Sequence, residues 1–192
     1  CVYGRQLPHT DATLLAKHAR YFNYPDVSNV HSLEDARTLG LKAAFISNSF
    51  AAYRADALMD VGGFPERVIL SEDMYVAASM LVKGWNVAYA ADATCHHSHN
   101  YLLIEEFSRY FDIGVFHSRV PWIREKFGGA GKEGLKYVMS ELHLLGMRNL
   151  HFWPSSLIRN LFKISGFRLG LLEEKIPLSL KRKFSMNKSF WK

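Results

Sequence analysis

Glu72 and Asp73 stand side by side at the head of an apolar run, and the chain then returns His96-His97-Ser98-His99 after one further helix-and-strand length. Carboxylates and imidazoles are the groups of general-base and divalent-metal chemistry. That chemistry needs them to converge, and little else in the sequence has this character. Asp73 falls in the first turn of the predicted helix, where unpaired N–H groups and the helix dipole favour an ionised carboxylate. A general base must carry that charge at working pH. The same position also suits residues that merely complement the dipole, and on these two residues alone both readings stand.

His97 and His99 are two residues apart, so on a strand they project to one side, with Cys95 in phase. A closed zinc site wants four ligands at recognisable spacing, and no second Cys/His pair supplies them. The pair reads either as part of an open metal site completed from elsewhere or as polar residues at a strand end.

The elements that must position these groups follow from periodicity. Residues 12–22 (ATLLAKHARYF) read as a short amphipathic helix ended by Asn23-Tyr24-Pro25. A helical turn is expected over 33–39, and one or two buried strands over 44–54. Asp56 caps a brief helix closed by Gly62-Gly63. Ser71 is the expected N-cap of the next helix, whose Met74, Ala77, Ala78 and Leu81 recur at the spacing of one buried face. Gly84 stops it, and Trp85, Val87 and Tyr89 alternate with Asn86 and Ala88 as a half-buried strand does. Further helices are predicted over 102–127, interrupted near Pro121, then over 132–145 and 154–167. The pattern divides α/β material from helical material near residue 115.

At 192 residues with 48% apolar and 22% charged side chains, the chain has the composition of a folded globular protein. Aromatic residues make up 14%, which suits a carbohydrate cleft or a membrane surface alike. No apolar run approaches the roughly 18–20 residues of a spanning helix, and no secretory signal opens the chain. The first residue is Cys1, so a piece of a longer protein is expected. Two cysteines, Cys1 and Cys95, give no disulfide framework and point to a reducing, cytoplasmic setting.

The net charge of +6 is concentrated late. Arg159, Lys163, Arg168, Lys175, Lys181, Arg182, Lys183, Lys188 and Lys192 face only Glu173 and Glu174 in that stretch. Mixed with Phe162, Phe167, Phe184, Phe190 and Trp191, they suit either an anionic partner surface, lipid or nucleic acid, or simply a solvated helix face. Gly128-Gly129-Ala130-Gly131-Lys132 is not a phosphate loop, because Glu133 occupies the Ser/Thr position and Lys126 that of the first glycine. It reads as a linker. No Ser/His/Asp arrangement supports a hydrolase.

An ordered set of matches then narrows the field. Tyr53-Arg54-Ala55-Asp56-Ala57-Leu58, Val61-Gly62-Gly63-Phe64-Pro65-Glu66, Ser71-Glu72-Asp73, Gly84 with Tyr89, and His97-Ser98-His99-Asn100-Tyr101 resemble, in order and spacing, the C-terminal half of a family 2 glycosyltransferase. The flanks Val2–Pro8, Phe111–His117 and Leu180–Met186 resemble bacterial rhamnosyltransferases of cell-surface polysaccharide synthesis. The likeness spans nearly the whole chain.

The resemblance implies an α/β fold. Residues 1–115 would be the acceptor-side half of a GT-A (Rossmann-like) domain, and residues 116–192 a helical, basic region. It implies Asp73 as catalytic base, Glu72 as its acceptor-side neighbour, and His97, with His99 a weaker transfer, as ligands of Mg²⁺ or Mn²⁺ on a nucleotide diphosphate. The family's nucleotide-binding half with its Asp-x-Asp motif would precede Cys1, so this piece alone is expected to be inactive. The implied partners are a nucleotide-sugar donor, dTDP-L-rhamnose, and a saccharide or lipid-linked saccharide acceptor. The implied place is the cytoplasm, peripheral on the inner face of the membrane, with an anionic membrane surface met by the C-terminal tail and no nucleic acid. The rival reading is a non-catalytic module docking on membrane or nucleic acid through that tail.

Overall fold

A computed structural model describes residues 1–129 and 133–192. The predicted linker over 127–131, and Lys132 at the head of the following helix, fall partly outside the described residues. The chain divides into two compact units, one of residues 1–66, 72–100 and 123–137, the other of residues 67–71, 101–122 and 138–192.

The first unit is α/β. In chain order it holds β1 (Val2–Leu7), α1 (Leu14–Asn23), β2 (Asn29–His31), α2 (Ala36–Leu39), β3 (Ala51–Ala52), α3 (Ala55–Asp60), α4 (Glu72–Val82) and β4 (Val87–His96). Its sheet runs β2-β4-β1-β3, with β1 and β4 parallel and both outer pairings antiparallel. The sequence reading gave residues 2–7 no element; they form a central strand. Thr13 caps α1, its hydroxyl accepting from the Ala16 N–H at 3.3 Å. Val76, Ala77, Ala78, Met80 and Leu81 of α4 are all buried, a wider face than the predicted stripe.

Two features of this unit set the stage for chemistry. Tyr3, Tyr24, Phe45 and Tyr89 form an aromatic cluster, with Tyr3–Tyr89 centroids 4.9 Å apart and Tyr24–Phe45 5.7 Å apart. Such pairs contribute about 0.5–1.5 kcal/mol each beyond their burial. They tie β1, β4 and the end of α1 to Phe45, and so anchor the segment that follows it. The β1–β4 register also jumps, Gly4 facing Ala90 but Arg5 facing Thr94. A Cβ on Gly4 would collide with the Phe50 ring and the Ala93 carbonyl, so the bulge that redirects β4 toward its histidines requires glycine here.

Three sequence expectations need correction. Residues 44–54 are not strands beyond Ala51–Ala52; short 3₁₀ turns cover Gly40–Ala44 and Asn48–Phe50. The polar triplet Ser47-Asn48-Ser49 finds more partners for its side chains in a turn than in a ladder. Asp56 lies inside the first turn of α3 rather than capping it, and its carboxylate accepts from the Ala57 N–H and the Arg54 guanidinium. Ser71 is not an ordinary extended N-cap: its φ is 60°, the left-handed region.

The second, helical unit centres on α5 (Leu103–Arg119); α6 (Pro121–Phe127), which begins at the proline where an interruption was predicted, belongs mostly to the first unit, as does the first turn of the helix after it. Then come α7 (Glu133–Leu145), α8 (Trp153–Leu171) and α9 (Leu178–Phe184). Residue 115, the predicted division, lies inside α5. Helices α5 and α8 approach so closely that a Cβ on Gly170 would strike the Phe111 carbonyl and Gly114 Cα, and one on Gly166 the Phe107 carbonyl. Asp112, fully buried, accepts from the backbone N–H groups of Met186 and Asn187 at 3.0 and 3.1 Å, while Phe111 packs on Phe184 and Trp191. The two rhamnosyltransferase-like flanks of this region therefore meet each other and hold the C-terminal segment.

Glu173 is buried and accepts from Arg119 at 2.8 Å and from Lys181. Burial pushes its carboxyl pKa up, but the two cations outweigh that and hold it below the usual range. A depressed carboxylate stabilises the fold above its unfolded pKa of about 4.3 and loses that contribution as pH falls through the folded value. From matched stability near neutrality, Glu173→Gln should therefore lose less stability on acidification, and its acid unfolding should begin at lower pH than the parent's. Overlapping acid transitions would refute the role. Gly170→Ala should lower unfolding free energy by about 1–3 kcal/mol or more through overpacking, read by denaturant titration, since backbone atoms cannot rotate out of the way.

Candidate active site

The carboxylates and the histidines are brought together through a residue pair that neither motif contains. Asn48, in the 3₁₀ turn before β3, donates its backbone N–H to Asp73 Oδ2 at 3.2 Å and its side-chain Nδ2 to Glu72 Oε1 at 3.0 Å. Its Oδ1 accepts from the Tyr53 hydroxyl at 2.6 Å, which fixes which way the amide faces. Next in the chain, Ser49 Oγ lies 3.3 Å from His97 Nε2. One two-residue step thus spans from the acidic pair to the imidazole pair.

Asp73 is half-buried, and its second oxygen, Oδ1, accepts from the Met74 N–H at 2.7 Å. Burial raises its pKa above the ordinary aspartate value. The N–H donors of Met74 and Asn48 pull it back down, and the neighbouring Glu72 charge adds to the rise. The result is a carboxylate more basic than an exposed one. The pair's negative charge is felt next door, because burial first and then Asp73 and Glu72 raise the Tyr53 phenol pKa. Directly before the pair, the left-handed Ser71 costs of order 1–3 kcal/mol for a non-glycine residue, a kind of strain that gathers at functional sites.

His97 and His99 lie just past the end of β4. Their rings are perpendicular, 4.6 Å between centroids, with the two Nε2 atoms 3.1 Å apart. Two nitrogens at right angles on one octahedral ion at about 2.0–2.1 Å would stand about 3 Å apart, so the pair fits as two adjacent ligands of an open site. Among the described residues no group of three His, Cys, Asp or Glu side chains converges for a metal ion. Cys95 stays outside the pair, and burial raises its thiol pKa. His96 turns away, its Nδ1 lying 2.9 Å from the Pro8 carbonyl oxygen.

The bridging loop is itself braced from the core. Gln6 on β1 is buried; its Nε2 donates to Ser47 Oγ at 2.8 Å while its Oε1 accepts from Arg20 at 2.6 Å. Ser47 also hydrogen-bonds the Tyr24 side chain. Sequence reasoning missed Asn48, Ser49, Gln6 and Arg20 as parts of the site. The available signal was Ser47-Asn48-Ser49, three polar residues breaking an otherwise apolar run.

Comparison with known proteins supplies context for this geometry. Over 191 residues, 99% of its length, the chain is 52% identical to O-antigen chain rhamnosyltransferase RfbN of Salmonella typhimurium. It is 51% identical over the same span to O-antigen chain rhamnosyltransferase WbaN of Salmonella anatum. The chain spans 60% of the length of each of these relatives. No family model matches it, and no solved structure does.

Proposed function

We propose that this chain is the acceptor-side part of a rhamnosyltransferase of bacterial O-antigen synthesis, a family 2 enzyme of GT-A fold acting in the cytoplasm. The observation that carries the reading is Asp73 itself: a half-buried carboxylate of raised basicity, held by Asn48 within one loop step of a paired-histidine site. The 52% identity to a relative named as a rhamnosyltransferase supports the choice of sugar. The donor would be dTDP-L-rhamnose and the acceptor a saccharide, free or lipid-linked.

The geometry supports the following chemistry. An acceptor hydroxyl donates to Asp73, which takes its proton as the oxygen attacks the anomeric carbon in line. The nucleotide diphosphate leaves from the opposite face, so configuration inverts. The Asn48 amide fixes Glu72 beside Asp73, where its second oxygen can accept from a neighbouring acceptor hydroxyl and orient the sugar. Tyr53 keeps the amide from flipping, and Met74 keeps the Asp73 carboxyl plane fixed on its helix. His97 and His99 would hold a divalent cation, Mg²⁺ or Mn²⁺, together with diphosphate oxygens. Such an ion neutralises charge on the leaving phosphate.

In a transferase of the relatives' length carrying this chain, Asp73→Asn should cut the transfer rate by about 10²–10⁴-fold while donor binding is retained. Undiminished transfer would remove Asp73 from its role. Because its pKa is raised, the acid limb of the parent's rate profile should lie above the ordinary aspartate pKa of about 3.9, and activity should fall as pH drops through it. His97→Ala should raise the divalent-ion concentration needed for donor binding by about 10-fold or more; an unchanged requirement, read by titration calorimetry, would end the ligand assignment.

A further inference from the structure

Helix α8 is built inside out. A helix on a water-soluble protein turns its large apolar stripe inward and its small and polar residues outward. Here the buried positions are Ser156, Asn160, Gly166 and Gly170. The face opposite presents Leu157, Ile158, Leu161, Ile164 and Leu169, continued by Leu172 at the C-cap, with Leu161 61% and Ile164 54% exposed. Arg168 and Ser165 are the polar residues in that exposed arc.

Small residues against the neighbouring helix and large apolar ones outward are the arrangement of helices in an apolar medium. The inward side agrees. Gly166-x-x-x-Gly170 lets α8 touch the α5 backbone, and the polar residues there are satisfied between helices: Ser156 and Asn160 both donate to buried Glu141. Yet neither α8 nor any other helix of the described residues is long and apolar enough to cross a membrane. What remains open to such a face is an interfacial seat, its apolar side at the boundary of headgroups and acyl chains.

Charge selects the occupant. Helix α8 carries Arg159, Lys163 and Arg168 and no Asp or Glu. Glu106 engages Arg159 at 3.3 Å and Lys163 at 3.9 Å, on the inward side, whereas Arg168 is exposed on the apolar face. Beyond the helix Lys175, Arg182 and Lys183 are exposed as well. A second copy docked by a two-fold axis would set Arg168 and its basic surroundings against their own kind. Anionic headgroups above an acyl layer complement both the apolar face and the cations.

We propose that the outward face of α8 seats in the surface of an anionic bilayer, with Leu161, Ile164 and their neighbours at the acyl boundary and Arg168 at the phosphates. The transferase reading is not required for this. The sequence places membrane contact in the charged tail at large; the structure assigns it to one face of one helix and makes apolar insertion the principal contact.

The test is flotation of the full-length protein with vesicles of phosphatidylcholine alone and with 30% phosphatidylglycerol. The anionic vesicles should carry the protein at least 10-fold more strongly than neutral ones. Raising salt from 0.1 to 0.5 M should weaken binding several-fold without abolishing it. Leu161→Glu should reduce the partition at least 10-fold with circular dichroism unchanged. As a conservative partner, Leu161→Trp should gain emission quenched by doxyl-labelled acyl chains only when anionic vesicles are present. No binding, equal binding by Leu161→Glu, or an unquenched Trp at 161 would overturn the proposal. So would a dimer in light scattering that Leu161→Glu dissociates without lipid, since the face would then belong to a second copy.

Discussion

The candidate site depends on a single amide. Asn48 uses its backbone N–H, its side-chain NH₂ and its side-chain oxygen at once, on Asp73, Glu72 and Tyr53 respectively. Each bond alone is modest, about 0.5–1.5 kcal/mol net, or 1.5–3 where the acceptor is charged. Together they leave the two carboxylates no freedom to rotate apart or swing into water. Negative charges placed side by side repel, and a donor shared between them offsets part of that repulsion. The same turn delivers Ser49 to His97, and the histidine pair thereby shares its reference frame with the carboxylates.

What makes that turn rigid lies deeper in the unit. Phe45 is held in the aromatic cluster with Tyr3, Tyr24 and Tyr89, and two residues on, Ser47 is held by Gln6. Gln6 is buried with both ends of its amide occupied, by Arg20 and by Ser47. A buried amide with either end orphaned costs about 1–3 kcal/mol, so the loop has one favourable seat. Strain at Ser71 is then tolerable because the surroundings over-determine the Glu72–Asp73 position.

The helical unit answers to a different constraint, contact between backbones. Gly114, Gly166 and Gly170 permit an approach that any side chain would forbid. That approach consumes the small and polar stripe of α8 and leaves the large residues outward. Glu106, Glu141 and Glu173 are each met by hydrogen bonds or cations within the unit. The consequence is an outward face of large apolar residues, the face proposed to meet lipid.

Much was legible along the chain. Helix starts and stops follow local chemistry, and α1, α4, β4 and the interruption at Pro121 were read from periodicity, glycine and proline alone. The types and order of Glu72, Asp73, His97 and His99 marked candidate chemistry for the same reason: each motif is local. Other features arise only when distant segments meet. Residues 44–54 look like strand because their composition is apolar, but the polar triplet within them gains more from Asp73, Glu72 and Gln6 than from a ladder. Whether α8 turns its leucines in or out cannot be read from its period, since two glycines and an asparagine define a stripe as well as leucines do. The sequence by itself determined which groups were available and which elements would carry them. Tertiary structure decided which groups meet in one site and which side chains face outward, because those outcomes depend on hydrogen bonds and close approaches between residues tens of positions apart.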